Sequence, residues 1–489
     1  MRQDTLLDNE GKNTATHSDR IVILFYPKIS PGREHAIHEP RSLLALARMI
    51  IPDGYGVKII DSRLDPVLEN ELDYDEGQIV CIGISAMSGY QAVDGLHFSR
   101  ICRQRFPHAP IVWGGWHPTI FPDQTIADPV VDIIVRGQGE ITFKELVASL
   151  DRKLPLDPIN GIMYKKNGKI TANVERRMID PNDFPALQFD LISSAQYLLD
   201  KKVFIYISSV GCPRGCKYCC VPLVCKRRWF ALKPERVLRE IEEAYKRYGI
   251  EKIIFFDDIF FVDKKRVQDI CEGLIAKGIR IRWQSHARVD EICRFDETFI
   301  RLLKDSGLEQ VHVGVESGSQ AILDSIGKGF KVEDVPRAMK ILQKNDIDFA
   351  ANFMVGIPGE ERVDFEATVR MIQELMQIRE SARINIFHFT PFPGTEIFNS
   401  LVAKGLRLNL PGELQDWGNF FDQFKNYDRP WLLKNDELNR AKILFYLKVG
   451  YIIRPSSVKA PVREIARFFR YIAKVRLRKK SYTFPVEWY

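Results

Sequence analysis

The chain is 489 residues long and carries 71 Lys and Arg against 64 Asp and Glu, a formal net charge of +7. Its apolar (45%) and charged (28%) fractions are those of ordinary globular proteins and exclude collagen, a simple coiled coil and overall disorder. No run approaches about 18 uninterrupted apolar residues, and the polar start lacks a signal-peptide core. We therefore expect a cytoplasmic protein of several domains with a disordered tail over residues 1–19 and, since the charge is small and dispersed, no nucleic acid partner.

Residues 20–150 alternate short, apolar, β-like runs with helical patterns. Near-continuous apolar strands followed by helices are typical of an α/β fold with a doubly wound, Rossmann-like parallel sheet. Such sheets bind ligands beyond the carboxyl ends of their strands. The predicted strands are residues 21–26, 57–61, 79–85, 111–113 and 132–136, and the predicted helices are residues 41–51, 91–106 and 141–150.

Glycines follow two of these strands. Gly114 and Gly115 come directly after the fourth strand, and Gly137, Gly139 and the acidic Glu140 follow the fifth. A glycine at a strand end lets the backbone approach a large, flat ligand closely. The same glycines also suit tight turns, so a ligand-binding and a purely structural interpretation both remain open.

A second alternating series begins near residue 201. The preceding segment, 151–200, contains a hairpin signal at Asn167-Gly168 and several prolines, and is predicted to be a linker. Six β/α units then occupy 201–400; because a full β/α barrel has eight, we expect a partial barrel that is open on one side. Residues 401–489 are predicted to form a helical C-terminal region. The six barrel strands are predicted over residues 203–208, 252–256, 281–285, 310–315, 349–355 and 384–389.

Three cysteines follow the first strand of this series with the spacing Cys-x3-Cys-x2-Cys. Cys212, Cys216 and Cys219 would therefore lie at the carboxyl end of the barrel, where active sites collect. Three thiolates can bind three irons of a [4Fe-4S] cluster and leave the fourth iron open to another ligand. Alternatively, Cys220 or Cys225 completes a zinc site or a closed cluster.

This cysteine loop in a six-unit barrel resembles the radical SAM superfamily, in which the open iron binds S-adenosylmethionine and electron transfer releases a 5′-deoxyadenosyl radical. The resemblance implies an aromatic residue before the third cysteine and three contacts to S-adenosylmethionine at later strand ends. One position departs from the family, since Phe256-Asp257-Asp258 replaces a Gly-Gly-Glu-like motif. The matching residues are Tyr218 before Cys219, Asp258 for the methionine amino group, Glu316 in Glu316-Ser317-Gly318 for the ribose and Gly356 for the adenine.

The N-terminal half resembles the cobalamin-binding domain fused to one branch of that superfamily, through Gly114-Gly115-Trp116-His117-Pro118-Thr119 and Gly137-Gln138-Gly139-Glu140. The Asp-x-His-x-x-Gly pattern of domains that bind cobalt through histidine does not occur in the sequence. The resemblance therefore implies a cobalt whose lower face has no protein histidine. The loop that begins at Ser85 is the candidate for that face, and His117 is interpreted as a structural turn residue.

The resemblance implies an enzyme with a [4Fe-4S] cluster, S-adenosylmethionine and cobalamin that methylates an unactivated carbon through methylcobalamin. The alternative is an oxidoreductase or cyclase with the same cofactors and no net methyl transfer, similar to the cyclase of tetrapyrrole biosynthesis. A third possibility is a corrinoid-binding protein with a vestigial barrel. The implied partners are a small-molecule or lipid substrate and an electron donor such as flavodoxin or ferredoxin.

Two further features have two interpretations each. Residues 454–480 carry ten Lys and Arg against Glu464 alone, with apolar residues at helical spacing. Such a helix either contacts an anionic membrane peripherally or packs on its own domain with a solvated basic face. Arg288, at the end of the third barrel strand, either binds a carboxylate or forms a structural ion pair with Asp290.

Overall fold

The computed structural model describes residues 19–32, 37–64, 68–192, 197, 201–406, 410–420, 431–432, 434–452 and 463–480. Apart from Asp19, the predicted disordered tail lies outside the described residues. Among the described helices, none is both long enough and apolar enough to cross a bilayer.

The N-terminal half is built on a seven-stranded sheet of order β2-β1-β3-β4-β5-β6-β7. The first five strands pair in parallel, and β6 and β7 continue the sheet in antiparallel pairing. The predicted doubly wound α/β sheet is thereby confirmed, and β1 and β3 coincide with the predicted runs. The strands are β1 (Ile21–Tyr26), β2 (Gly56–Asp61), β3 (Ile79–Ser85), β4 (Ile111–Gly114), β5 (Ile133–Val135), β6 (Ile162–Lys166) and β7 (Lys169–Ala172).

Helices cover both faces of this sheet because alternate strand residues face opposite sides. Val22 and Leu24 pack with α1 and α5, whereas Ile23 and Phe25 pack with α2. The helices are α1 (Arg41–Ile50), α2 (Tyr90–Arg105), α3 (Trp116–Ile120), α4 (Pro122–Ala127) and α5 (Glu140–Asp151), with 3-10 turns at Ile51–Asp53, Leu68–Glu71 and Glu76–Gln78.

The β6–β7 hairpin comes from the segment predicted as a linker. Asn167 (φ +50°) and Gly168 (φ +75°) both have the positive φ of a tight hairpin turn, as the Asn-Gly signal predicts. Because β6 pairs with β5, the hairpin belongs to the N-terminal sheet. The chain then crosses to the second half through 3-10 turns at Pro181–Asp183 and Phe189–Leu191.

The second half contains a six-stranded, all-parallel sheet of order β15-β14-β13-β12-β11-β8, which confirms the partial barrel. A short antiparallel pair, β9 and β10, stands apart from it and was not predicted. The strands are β8 (Val203–Tyr206), β9 (Ser209–Gly211), β10 (Trp229–Ala231), β11 (Lys252–Phe255), β12 (Arg282–Ala287), β13 (Leu308–Glu316), β14 (Asp348–Val355) and β15 (Arg383–His388). The helices are α6 (Val221–Cys225), α7 (Pro234–Tyr248), α8 (Lys264–Ala276), α9 (Val289–Ile292), α10 (Glu297–Asp305), α11 (Gln320–Ser325), α12 (Asp334–Lys344), α13 (Arg362–Ile378) and α14 (Glu396–Ala403).

The C-terminal region is helical and contributes to both halves of the molecule. A 3-10 turn at Leu414–Asn419 places Trp417 in the core around α2, whereas Leu447 joins the barrel core. The remaining elements are α15 (Lys434–Leu447), a π-helical turn at Lys448–Ile452 and α16 (Arg463–Lys479). The C-terminal region therefore ties the two sheets together.

Candidate active site between the two sheets

A cavity of about 400 Å³ lies between the carboxyl ends of the N-terminal strands and the rim of the barrel. All six cofactor-binding residues that were predicted in the N-terminal half line this cavity. Of the site residues that were predicted in the barrel, Asp258 lines it. Its wall includes Ser85, Gly114, Gly115, Gly137, Gly139 and Glu140 on one side, and Ser208, Val210, Cys225 and Asp258 on the other.

The glycines in this wall serve different purposes. A Cβ added at Gly115 (φ +96°) would lie 2.8 Å from the carbonyl oxygen of Ala86, so a tight turn requires this glycine. Among the described residues, no atom lies within 4 Å of a Cβ added at Gly137 (φ +73°), although the Gly137 backbone N–H donates to Thr119 Oγ1 at 2.9 Å. The structural interpretation therefore applies to Gly115, whereas Gly137 keeps cavity space open.

Glu140 and Gln138 hold the cavity wall in place. Arg48 Nη2 lies 3.4 Å from Glu140 Oε1, and burial raises the pKa of Glu140. Gln138 Nε2 donates to the Ile179 carbonyl at 3.1 Å, while its Oε1 accepts from the Ile179 N–H at 2.7 Å. A glutamate in place of Gln138 would lack the amide donor and could not bond to the Ile179 carbonyl.

Ser85 and His117 occupy different surroundings. Ser85 lines the cavity, and its hydroxyl donates to Ser42 Oγ at 3.0 Å. His117 is fully buried outside the cavity wall, 3.1 Å from Ser88 Oγ through Nδ1 and with its ring 4.9 Å from that of Trp417. Burial lowers the pKa of His117 to about 3, so the imidazole is neutral. The contacts of His117 are those of a structural residue.

The cysteine loop connects β9 to α6 and is closed by the β9–β10 pair. Cys212, Cys216 and Cys219 are half-buried free thiols, and the Cys219 N–H donates to the Cys216 carbonyl at 3.1 Å. Cys225, an alternative ligand, is buried in the cavity wall, which none of the three loop cysteines lines. The loop thus carries three free thiols, and Cys225 lies in other surroundings.

Two adjacent aspartates follow β11 and play different roles. The backbone N–H and hydroxyl of Ser208 and the hydroxyl of Ser209 donate to Asp257 at 2.6–2.7 Å, and burial raises the pKa of Asp257 to about 6. Asp258 faces the cavity and accepts from the Gly211 N–H at 2.9 Å. Asp258 therefore connects the cavity to the residue directly before Cys212.

A buried cluster supports the residue before the third cysteine. Tyr218 donates to Glu316 Oε1 at 3.0 Å, and Lys328 Nζ lies 2.7 Å from the same oxygen. A Cβ at Gly314 would come within 2.6 Å of this oxygen, so the cluster requires that glycine. Lys328 was missed from the sequence. The sequence does place Lys328 between two glycines, which indicates a turn. In the structure Gly327 (φ +67°) and Gly329 (φ +77°) form this sharp turn.

Arg288 forms the expected structural ion pair with Asp290 and also contacts the cysteine loop and the turn at Lys328. Its Nε donates to Asp290 Oδ1 at 2.8 Å, and its Nη2 donates to the Lys328 carbonyl. Its Nη1 lies 3.9 Å from Cys216 Sγ. A buried guanidinium therefore stands beside the cysteine loop, in contact with Cys216.

Gly356 lies in a turn that the C-terminal region supports. The Gly356 N–H (φ +77°) donates to Glu360 Oε2 at 2.7 Å, and the Gly356 carbonyl accepts from Trp431 Nε1 at 2.9 Å. Arg440 of α15 forms a buried ion pair with Glu360. Residues of the C-terminal region therefore stabilise the turn at Gly356, which the resemblance implies contacts adenine.

The barrel lumen carries polar side chains that sequence reasoning missed. The rings of His286 and His312 lie 5.4 Å apart on β12 and β13, and Asn385 Nδ2 donates to Asn352 Oδ1 at 2.8 Å. Burial lowers the pKa of His286 and lowers that of His312 to about 4, so both imidazoles are neutral. The signal was the alternation of these polar residues with buried apolar ones along each strand.

The two halves of the chain match two different family models. Residues 35–147 match the B12 binding domain, and residues 206–372 match the radical SAM superfamily. An uncharacterized methyltransferase of Pyrococcus horikoshii, PH0819, is 31% identical over 85% of this chain and 89% of its own length. The chain belongs to the cobalamin-dependent radical SAM enzymes. Its cofactors are accordingly a [4Fe-4S] cluster, S-adenosylmethionine and cobalamin, as predicted.

Other relatives of this radical SAM enzyme agree. The anaerobic magnesium-protoporphyrin IX monomethyl ester cyclase of Rubrivivax gelatinosus is 28% identical over 88% of this chain and 76% of its own. The solved structure of the radical S-adenosylmethionine methyltransferase TsrM from Kitasatospora setae has the same fold, with a TM-score of 0.66 over 82% of this chain and 81% of its own at 16% identity.

The residues of the enzyme fit these cofactors. For cobalamin, the open space at Gly137 and the cavity between the sheets offer room for a large, flat group beyond the strand ends. For the cluster, the three free thiols of one loop beside Arg288 are the soft ligands that iron–sulfur clusters take. Asp258 lines the cavity and accepts a hydrogen bond from Gly211, the residue directly before the cysteine loop.

Proposed function

We propose that this enzyme transfers a methyl group to an unactivated carbon of a small molecule bound where the cavity meets the barrel. The supporting observation is that Asp258 belongs to both sites: it lines the cavity and accepts a hydrogen bond from Gly211, the residue before Cys212. A substrate between them would reach both cofactors. The neutral imidazoles and amides of the lumen suit an uncharged, hydrogen-bonding substrate.

The residues of the chain position and shield the reacting groups. When bound, the cluster and S-adenosylmethionine supply a hydrogen-abstracting radical, and methylcobalamin supplies the methyl group. Cys212, Cys216 and Cys219 would bind three irons and leave the fourth open to S-adenosylmethionine. Asp258 would bind the methionine amino group, Glu316 the ribose and Gly356 the adenine, while the buried surroundings of these residues would exclude water.

Cofactor content and product analysis test this function. The protein is purified without oxygen and reconstituted with iron, sulfide and hydroxocobalamin, and we expect about four irons and one cobalt per chain. With a reductant and S-adenosylmethionine labelled with deuterium in its methyl group, the substrate gains the labelled methyl. Iron without cobalt, or a product without the label, contradicts methyl transfer.

The cyclase alternative uses the same measurement. An oxidoreductase or cyclase would yield a product that has lost hydrogen and gained no methyl label. The similarity to the cyclase of Rubrivivax gelatinosus is the reason to test this alternative. The described residues contain no contact that favours cyclisation over methylation.

We propose that the reductant is an acidic electron-transfer protein such as flavodoxin or ferredoxin. Exposed basic residues surround the cysteine loop: Lys226, Arg227 and Arg228 follow α6, and the Arg227 guanidinium packs over Gly215 within the loop. Opposite charges steer such encounters and make them sensitive to salt. Arg227→Glu should therefore slow reduction by flavodoxin and leave reduction by dithionite unchanged, and equal slowing of both would contradict the docking site.

We also propose that α16 contacts an anionic membrane, which would give a lipid substrate access. Phe468 and Tyr471 are 61% and 68% exposed, whereas Ala473 and Leu477 on another face are buried against the protein. Arginines and lysines lie between the two faces, an arrangement typical of interfacial helices. The helix thus has a packed face and, in addition, an exposed aromatic one.

Co-sedimentation with vesicles of anionic phospholipid tests this contact. Phe468→Asp combined with Tyr471→Asp should reduce the bound fraction. Val363→Asp on α13 is the matched control, because Val363 is exposed to a similar degree outside this helix. Equal sedimentation of all three proteins would show that α16 is not a membrane-binding helix.

A further inference from the structure

The lumen of the barrel contains a pair of amide side chains that keeps one donor group and one acceptor unused. Asn352 of β14 and Asn385 of β15 are register partners, and Asn385 Nδ2 donates to Asn352 Oδ1 at 2.8 Å. Among the described residues, Asn352 Nδ2 and Asn385 Oδ1 have no hydrogen-bond partner. Neither of these two atoms is buried, so a molecule in the lumen can reach both.

The positions of the two asparagines along their strands place them on the inner face of the sheet. Ala351 and Phe353 flank Asn352, Ile384 precedes Asn385, and all three apolar residues are buried in the core between the sheet and its helices. Because alternate strand residues face opposite sides, Asn352 and Asn385 face the lumen.

Apolar side chains beside the amide pair are left uncovered. Phe387 and Met354 are register partners, two residues closer to the carboxyl ends of the same two strands. Phe387 is 55% exposed and Phe256, directly after β11, is 58% exposed, whereas their neighbours Phe353 and Phe255 on the opposite face are fully buried. Exposed phenyl rings cost hydrophobic free energy, which a flat apolar ring bound against them would recover.

The same face continues on β12 and β13 with neutral side chains. The ring of His286 lies 5.4 Å from that of His312 and 5.7 Å from that of Phe256. Burial lowers the pKa of both imidazoles, so neither carries a charge. A cation, the exposed Arg383, begins β15 two residues before Asn385. An anion bound by Arg383 is therefore the competing occupant.

We propose that the lumen binds a flat, uncharged ring with adjacent N–H and C=O groups, a lactam edge, which contacts Asn352 and Asn385 while the ring face packs on Phe387. This rests on the proposed function and names its substrate class. The lactam N–H suits Asn385 Oδ1 and the C=O suits Asn352 Nδ2, so both unused groups are satisfied together. A carboxylate carries acceptors only and would leave Asn385 Oδ1 without a donor.

Four probe molecules separate the parts of this substrate class. Carbostyril is a flat bicyclic lactam, quinoline has the same rings without the lactam edge, valerolactam has the edge without a flat ring, and quinaldate carries a carboxylate on the quinoline rings. Each is titrated by calorimetry into the reconstituted enzyme with S-adenosylmethionine and no reductant, so that nothing turns over. We expect carbostyril to bind most tightly. Tighter binding of quinaldate, or equal binding of quinoline, would overturn the lactam subsite.

The double variant Asn352→Leu/Asn385→Leu tests the amide pair. It replaces both partners at once, so neither amide is left without the other. Its affinity for carbostyril should fall about tenfold or more, while its affinity for quinoline stays at the wild-type value. Asn345→Leu is the matched control, because Asn345 lies at the end of α12 and donates to the Ile341 carbonyl. Unchanged carbostyril affinity in a double variant that melts like the wild type would overturn the subsite.

Phe387→Ala tests the ring contact at an exposed position, where folding is not at risk. Carbostyril and quinoline should both bind about fivefold more weakly, and valerolactam should not change. Ile275→Ala is the control, since Ile275 is similarly exposed on α8. Unchanged affinities in Phe387→Ala would overturn the ring contact. Iron, cobalt and methyl-label assays report on the proposed function separately, so a methylating enzyme that does not bind carbostyril would overturn this inference alone.

Discussion

The hydroxyl of Tyr218 donates a hydrogen bond to Glu316 Oε1 over 3.0 Å, and this bond joins the cysteine loop to the end of β13. Lys328 approaches the same oxygen at 2.7 Å, and burial raises the pKa of Tyr218, so the phenol stays protonated. The residue before Cys219 is thereby fixed by a carboxylate almost 100 residues away in the sequence. Glu316 therefore supports the loop in addition to its proposed contact with the ribose.

Glu316→Gln should destabilise the protein more than Tyr218→Phe. The first change leaves the buried Lys328 ammonium without its carboxylate, at a cost of about 3–5 kcal/mol, whereas the second removes one hydrogen bond, at a cost of about 1 kcal/mol. Thermal melts of the anaerobic protein with matched iron content measure the difference. Equal drops in melting temperature would show that the Lys328–Glu316 pair is not the main element of the cluster.

Cys216→Ala should abolish iron binding and the formation of 5′-deoxyadenosine but retain cobalamin. The reason is that Cys216 lies in the loop beside Arg288, whereas the cavity wall is formed without it. Iron and cobalt assays on the purified variant measure both effects. Cys225→Ala serves as the control and should keep its iron, because Cys225 lies in the cavity wall; loss of the cluster there would revive Cys225 as a ligand.

Gly137→Leu should impair cobalamin binding through bulk and not through backbone strain. Gly137 (φ +73°) and Gly278 (φ +64°) both have positive φ and open space at the Cβ position, but Gly137 alone of the two lines the cavity. Forcing a side chain into this conformation costs about 1–2 kcal/mol in either case. We expect similar melting temperatures for the two leucine variants and a weaker cobalamin affinity for Gly137→Leu; equal affinity would place the corrin elsewhere.

His117 should make the protein sensitive to acid. Its pKa of about 3 in the folded state lies below the ordinary 6.5, so below pH 6.5 the unfolded chain binds a proton that the folded chain does not. This contribution to stability is complete above pH 6.5 and falls as the pH falls, by about 2 kcal/mol at pH 5.

Melting temperatures at pH 7 and pH 5 measure the effect of His117. His117→Phe retains a ring against Trp417 and cannot titrate, so its melting temperature should fall less between the two pH values than that of the wild type. The exposed His97, changed to Phe, is the control and should behave like the wild type. An equal fall in all three proteins would mean that other groups dominate the acid response.

Local patterns accounted for most of the elements. The segments that form β1 and β3 are continuous and apolar because helices cover both faces of the sheet. Such segments can be predicted as strands from the sequence alone. The turn at Asn167-Gly168 was equally legible because few other residues adopt two positive φ values in succession. The β9–β10 pair could not be predicted, since strands of three residues show almost no alternation of apolar and polar residues.

The chain order alone determined the two-sheet architecture, the cysteine spacing and the glycines at the strand ends, since each depends on residues that are neighbours in the sequence. Only the tertiary structure determined which side chains contact each other. Tyr218 reaches Glu316, Trp417 packs on His117, and Asp258 lines a cavity whose wall both halves share. These relationships join segments far apart in the sequence, and their energies depend on burial and distance, which appear only when the two sheets close around a common cavity.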